Sequence, residues 1–173
     1  AALRAGEVAA FTVAGGQGTR LGFSGPKGTM IATPVGEKSL FELFALMVRA
    51  AREKYGAVIP WYVMTSPANH SDTLAFFDRY RFFGLPDSDV RFLMQGALPA
   101  FGFDGKLLLE AKDSLALSPD GHGGSLSVLY NSGATRTMLD AGVRIISYFQ
   151  VDNPLVQPFD PLFIGLHKRT GSQ

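Results

Sequence analysis

Apolar residues concentrate in four short runs, Val8–Ala14, Ile59–Thr65, Val90–Gln95 and Val143–Val151, separated by longer stretches of mixed polarity. Runs of this length, rich in β-branched and aromatic residues, predict strands. The last, VRIISYFQV, is too continuously apolar to alternate, so it is expected to be buried on both faces, as strands of parallel sheets are. Between the runs, apolar positions recur at helical spacing. In SLFELFALMVRAAREKYG, residues Leu40, Phe44, Met47, Val48 and Ala51 share one face. Ser39 followed by Glu42 has the form of a capping box, and Gly56 stands where the helix should stop. A second helix is predicted over about Ser71–Phe82, with Leu74, Phe77 and Phe82 inward. Shorter helices are predicted near Ser125–Tyr130 and Thr135–Leu139, and a further one from Asp160 or Pro161. Strand–helix alternation with apolar strands predicts an α/β fold with a mainly parallel sheet. Ligands of such sheets bind beyond the carboxyl ends of the strands. That rule singles out AGGQGTR, MTSPANH, QGALPA and QVDN, while a fifth stretch, PDGHGG, precedes a helix.

Composition narrows the function classes. The 173 residues are 46% hydrophobic, enough for a real core in one domain. Sixteen basic and fifteen acidic residues give a net charge of +1, which argues against nucleic acid as a partner. Cysteine is absent, which excludes disulfides and thiolate zinc sites and fits a cytoplasmic protein. No apolar run reaches the roughly 18 residues of a membrane span, so no membrane association is expected. AALRAGEVAAF lacks the apolar stretch of a signal peptide. Phe76, Phe77, Phe82, Phe83, Phe92 and Trp61 read as core. The run RYRFFG would suit base stacking, but the charge balance gives that little support.

The densest chemistry is in VAGGQGTRLGFSGPK, Val13–Lys27, with five glycines and two cations directly after a predicted strand. Gly15, Gly16 and Gly18 allow backbone N–H groups to turn toward an anion without Cβ obstruction. A ligand-free strand-to-helix turn is the plain alternative. A dinucleotide site needs G-x-G-x-x-G, and Leu21 stands where the third glycine belongs. A Walker A loop needs G-x-x-x-x-G-K-[ST], which Gly22–Lys27 does not supply. An irregular phosphate loop with Arg20 and Lys27 remains, and Pro26 fixes the backbone just before Lys27.

The pattern AGGQGTRLG-x-x-x-PK resembles the signature of the sugar-nucleotide pyrophosphorylases, or uridylyltransferases. Glycine spacing, Thr19, Arg20 and the Pro26–Lys27 pair all agree with it. IPWYVMTS, FFGL, QGALPA, DGKLLLE, SPDGHGG and VDNPLV follow in the order seen in the branch that makes UDP-N-acetylglucosamine. The resemblance runs from about Phe11 to Gly171. It implies a Rossmann-like sheet flanked by helices, of the nucleotide-diphospho-sugar transferase type, with residues 1–173 forming a single incomplete nucleotidyltransferase catalytic domain. It also implies transfer of UMP from UTP to a sugar 1-phosphate, with UTP and that sugar phosphate as partners.

Roles follow from the resemblance residue by residue. Arg20 and Lys27 would neutralise the triphosphate, and Ala14, Gly15, Gly16, Gly18 and Thr19 would hold the nucleotide. Gln95 carries a donor and an acceptor on one amide, which suits the imide edge of uracil; capping a turn is its plain alternative. Gly121 would let the chain pass close to the base or ribose, and Thr65 or Ser66 would line the base pocket. Asp152 would ligate Mg²⁺ near the α-phosphate; a local N-cap or Asx-turn before Pro154 is its alternative. Asn153 would bond the sugar phosphate or orient the turn. His122 departs from the pattern, because the N-acetylglucosamine branch often has Asn in PDG-N-GG, whereas UDP-glucose pyrophosphorylases carry G-H-G. It is expected to bond the sugar or its phosphate, with N-acetylglucosamine first and glucose or galactose next. A phosphate nucleophile needs no general base, and His70, His122 and His167 lie too far apart in sequence for a zinc site. His70 and His167 are expected at the surface. Two other classes stay open: a nucleotide-binding or regulatory domain without catalysis, and a dinucleotide-binding oxidoreductase domain, against which the missing third glycine and the placement of Lys27 count.

Overall fold

In a computed structural model, residues 1–172 are described, the side chain of Arg20 excepted. Four strands form a parallel sheet in the order β3-β2-β1-β8: β1 (Val8–Val13), β2 (Trp61–Thr65), β3 (Val90–Met94) and β8 (Ile145–Gln150). Alternate residues of β1 supply opposite faces. Val8 and Ala10 join one buried cluster with Phe41, Phe44 and Val48, while Ala9 and Phe11 join another with Leu129 and Met138. The first cluster lies under α1 (Leu40–Tyr55), α2 (His70–Arg79) and α5 (Pro161–Thr170), and the second under α3 (Gly124–Asn131) and α4 (Ala134–Asp140). Helices on both faces make β1 and β2 the buried centre, and every residue of β2 is buried. One polar pair lies inside this centre, where Trp61 Nε1 donates to Thr12 Oγ1 at 2.8 Å; burial without that bond would cost free energy.

The capping signals of α1 are realised with one change. Ser39 Oγ accepts from the Glu42 N–H at 3.1 Å, but the Glu42 carboxylate binds Lys38 Nζ instead of reaching back to Ser39. Gly56 ends the helix in the left-handed conformation. At α5 the Asp160 carboxylate accepts from the Leu162 and Phe163 N–H groups, with Pro161 next to it.

Two expectations fail. β8 is not buried on both faces. It is the outer strand of this sheet; Phe149 packs against Phe44 at a centroid distance of 5.0 Å, whereas Ile146 and Tyr148 on the other face are 38% and 45% exposed. Continuous apolarity does not distinguish a central strand from an outer one that keeps large side chains on its open face. Second, α2 ends at Arg79, short of Phe82. Arg81, Phe82 and Phe83 all have positive φ, 49°, 51° and 53°, a left-handed turn costing roughly 1–2 kcal/mol per residue. Packing holds it: Phe82 and Phe83 both meet Phe77, Tyr80 stacks on Phe83, and Arg49 Nη1 donates to Phe83 O at 3.1 Å.

Between β3 and α3 the chain makes small antiparallel ribbons. β4 (Ala97–Pro99) pairs with β7 (Leu117–Pro119), and β5 (Leu109–Ala111) with β6 (Ser114–Leu115). The β4–β7 pairing sets Ala97 opposite Pro119, and so brings Gln95 beside Gly121 and His122.

Replacing Ser39 by Ala is expected to cost about 1 kcal/mol of stability, and by Gly only a few tenths. Chemical denaturation midpoints of the two variants check this; a larger loss for Gly than for Ala contradicts a capping role.

Candidate functional site

A cavity of 320 Å³ opens at the carboxyl ends of the strands. Gly15 and Gly16 enter it after β1, Gln95 after β3, Gln150 and Asp152 around the end of β8, and Gly121 and His122 from the turn before α3; Lys27 completes it. A larger hollow of 510 Å³ lies between the amino-terminal residues and α5 and contains no residue of the strand-end stretches.

The glycine loop is closed by a short antiparallel clasp. Gly18 N–H donates to Gly25 O at 2.9 Å and Lys27 N–H to Gly16 O at 3.1 Å. Pro26 holds φ at −59°, and the Lys27 side chain passes back over Gly16, where an added Cβ would lie 3.7 Å from Nζ. Lys27 Nζ then meets Asp152 Oδ2 at 3.0 Å, across 125 positions of sequence. The two side chains are 23% and 45% exposed, and a partly solvated pair of this kind contributes about 1 kcal/mol or less. The pair is thus weak enough to be exchanged for a bound polyanion. Among the described residues Asp152 caps no backbone N–H, so the N-cap or Asx-turn alternative is not realised there.

The loop's amides divide in two. Ala14 N–H donates to Met64 O at 2.7 Å and Gly18 N–H is held in the clasp, so neither is available to an anion. The N–H groups of Gly15 and Gly16 donate to no group among the described residues. Ala14, Gly18, Thr19 and Asn153 do not line the cavity. Ala14 is buried and Asn153 lies in the exposed turn after Asp152, where its N–H donates to Gln150 O. The side chain of Arg20 lies outside the described residues, so its candidate role has no structural counterpart here.

Gln95 is 6% exposed, and its backbone N–H donates to Thr65 O at 2.9 Å. Its amide nitrogen lies against Gly15: a Cβ there would sit 2.5 Å from Gln95 Nε2. The side chain caps no turn among the described residues and faces the cavity instead. Asp120 N–H donates to Gly96 O at 3.1 Å, drawing the PDGHGG turn against the Gln95 turn.

Thr65 and Ser66 do not reach the cavity. Both are buried; Thr65 Oγ1 bonds His70 Nδ1 at 2.8 Å, which also leaves His70 half-buried instead of at the surface. The useful residue of MTSPANH is Asn69, 1% exposed. Its Nδ2 donates to Ala14 O at 2.9 Å and its Oδ1 accepts from Ser66 N–H at 2.8 Å. Asn69 thereby ties the end of β2 to the start of the glycine loop. Its position beyond a strand end marked the stretch, but nothing local separates an inward Asn from a solvated one.

One carboxylate, that of Asp152, lines the cavity, and no group of three or more His, Cys, Asp or Glu residues forms a metal cage among the described residues. A donor set of this kind fits a magnesium ion that arrives with phosphate oxygens and water, not one held by protein alone.

Residues 4–172 match the family described as UTP–glucose-1-phosphate uridylyltransferase. The chain belongs to this family. It is 43% identical over 170 residues to the probable UDP-N-acetylglucosamine pyrophosphorylase of Schizosaccharomyces pombe, covering 93% of this chain and 36% of that protein. It is 37% identical over 174 residues to the UDP-N-acetylglucosamine pyrophosphorylase of Saccharomyces cerevisiae, covering 98% and 36%. Among solved structures, the uridine diphosphate N-acetylglucosamine pyrophosphorylase of Trypanosoma brucei in complex with an inhibitor superimposes with a TM-score of 0.89 at 28% identity, over 98% of this chain and 36% of that one. The chain thus spans about a third of the length of the relatives it matches. The sheet and flanking helices of this family member are those of the nucleotidyltransferase type.

Gly15→Ala is expected to push the Gln95 amide aside and weaken uridine nucleotide binding about tenfold with little change in melting temperature. Gly28→Ala, whose Cβ would lie 2.2 Å from the Phe41 ring in the core, should instead destabilise by about 1–3 kcal/mol or more. Calorimetric titration with UTP and thermal melts of both variants separate the two effects.

Proposed function

We propose that the chain carries the nucleotide half of a uridylyltransferase, which transfers UMP from UTP to a sugar 1-phosphate and releases pyrophosphate. The observation that carries this reading is the convergence of Gly15, Gly16, Lys27, Gln95, His122 and Asp152 on one cavity at the strand ends. N-acetylglucosamine 1-phosphate is the first choice of acceptor, because the relatives compared above are named for that sugar. The family's description and His122 keep glucose 1-phosphate as the second.

The reaction joins two anions. An oxygen of the sugar phosphate attacks the α-phosphorus of UTP, and the bond to the bridging oxygen of pyrophosphate breaks. Two unit charges 4 Å apart repel by about 4 kcal/mol at an effective dielectric near 20, so several such repulsions oppose approach. Catalysis is then alignment and charge neutralisation. Gln95 reads the uracil edge with its amide, and Gly15, having no side chain, leaves room for that amide. The N–H groups of Gly15 and Gly16 and the Lys27 ammonium take the phosphates, Lys27 leaving Asp152 to do so. Asp152, released from Lys27, is the residue that would hold Mg²⁺, which when bound would supply further positive charge at the α-phosphate. His122 meets the incoming sugar phosphate. The attacking phosphate oxygen is already ionised, so no base is required.

In the full-length protein, Lys27→Ala is expected to lower turnover by about 10²–10³-fold while changing stability by less than about 1 kcal/mol. Pyrophosphorolysis rates against a panel of UDP-sugars, with chemical denaturation alongside, measure both. Comparable loss of rate and stability makes Lys27 structural, and inactivity of the wild type on every UDP-sugar overturns the function. Gln95→Ala should weaken UTP binding in calorimetry, and an unchanged affinity removes it from the base pocket.

A further inference from the structure

The His122 ring is held by a partner in another element. His122 Nδ1 forms a hydrogen bond with Tyr148 Oη, and the two rings meet edge to face with centroids 6.2 Å apart. Tyr148 stands in β8 two positions before Gln150, on the same side of the strand, and Gln150 lines the cavity. A T-shaped contact with Phe11, 5.7 Å between centroids, fixes the tyrosine ring. The main chain of His122 is held as well, because Ser125 Oγ donates to its carbonyl at 2.6 Å.

We infer that Tyr148 is a positioning residue for the sugar-phosphate end of the site, acting through His122. Its hydroxyl donates to Nδ1, which places the ring proton on Nε2. The Nε2–H is then the group offered to the cavity, and it donates to an oxygen of the sugar 1-phosphate. The opposite tautomer would have Nδ1–H donate to Tyr148 and would leave a lone pair on Nε2 facing phosphate oxygens, which are acceptors only. An imidazole held in this way does the work of a side-chain amide N–H in a ring that reaches further from the backbone. The inference rests on the uridylyltransferase reading of the cavity.

The test uses the full-length protein. Tyr148→Phe removes one hydroxyl and keeps the ring against Phe11. It should raise KM for N-acetylglucosamine 1-phosphate about five- to tenfold, the size of one hydrogen bond, with KM for UTP unchanged within twofold. In a His122→Ala background the same exchange should alter the sugar-phosphate KM by less than twofold, because the residue it positions is gone. An unchanged KM, equal rises for both substrates, or the same rise in both backgrounds overturns the inference. ¹⁵N NMR of the His122 imidazole gives a readout without turnover. Wild type should show the Nε2–H tautomer and Tyr148→Phe a mixture of tautomers, whereas an Nδ1–H wild type overturns the inference whatever the activity. A wild type inactive on every UDP-sugar overturns the transfer reaction alone, and the NMR result still decides whether Tyr148 sets the ring.

Discussion

The parallel register of β1 against β8 is the constraint from which the site follows. Six residue pairs run from Val8 opposite Ile145 to Val13 opposite Gln150, and the ladder continues one step as Val151 N–H donates to Val13 O at 3.0 Å. Two loops that begin more than a hundred residues apart therefore start side by side at the same edge. Had the strands slipped by one residue, every side chain of β8 would have changed faces. Asp152 would then point away from Lys27, and the contact between them would not form.

The other strands add to this edge in a graded way. β2 sends no side chain into the cavity, yet Asn69 beyond its end fastens the glycine loop from beneath. β3 delivers Gln95, and the small β4–β7 ribbon folds the PDGHGG turn back toward it. The cavity is thus floored by main chain and walled by a few side chains, of which Lys27 and Asp152 bond to each other and His122 to Tyr148 of β8. The polyphosphate proposed as its ligand would gain from this, because the ordering cost would fall mainly on the ligand.

Much of this was legible from residue order. The apolar runs marked all four sheet strands, since a buried parallel sheet needs them, and Ser39, Gly56 and Asp160 marked helix ends because capping is local chemistry. The strand-end rule found the stretches that bring Gly15, Gly16, Gln95 and Asp152, but PDGHGG, which brings Gly121 and His122, was marked by its place before a helix and Lys27 by the length of the glycine loop. The rule did not rank residues within a stretch. Ala14 and Gly18 look as available as Gly15 and Gly16 in the sequence, but the first is consumed by pairing with β2 and the second by the clasp to Gly25. Asn69 and Tyr148 were missed because their roles depend on partners 55 and 26 positions away. The outer position of β8 was invisible for a similar reason, as strand order is set by pairing and not by the composition of the strand itself.

The left-handed turn at Arg81–Phe83 shows how far tertiary contacts override backbone preference here. Glycine would adopt those dihedral angles freely, and the chain uses bulky residues instead. Aromatic rings therefore act as the fasteners of a conformation that the residues themselves resist. A glycine placed at Phe82 or Phe83 would relieve the main chain and remove a ring in the same stroke, two effects of opposite sign. Tolerance to exchange at this corner depends on the rings of Phe82 and Phe83 together with the neighbours they meet, Phe77 and Tyr80, and on Arg49, which bonds the Phe83 carbonyl.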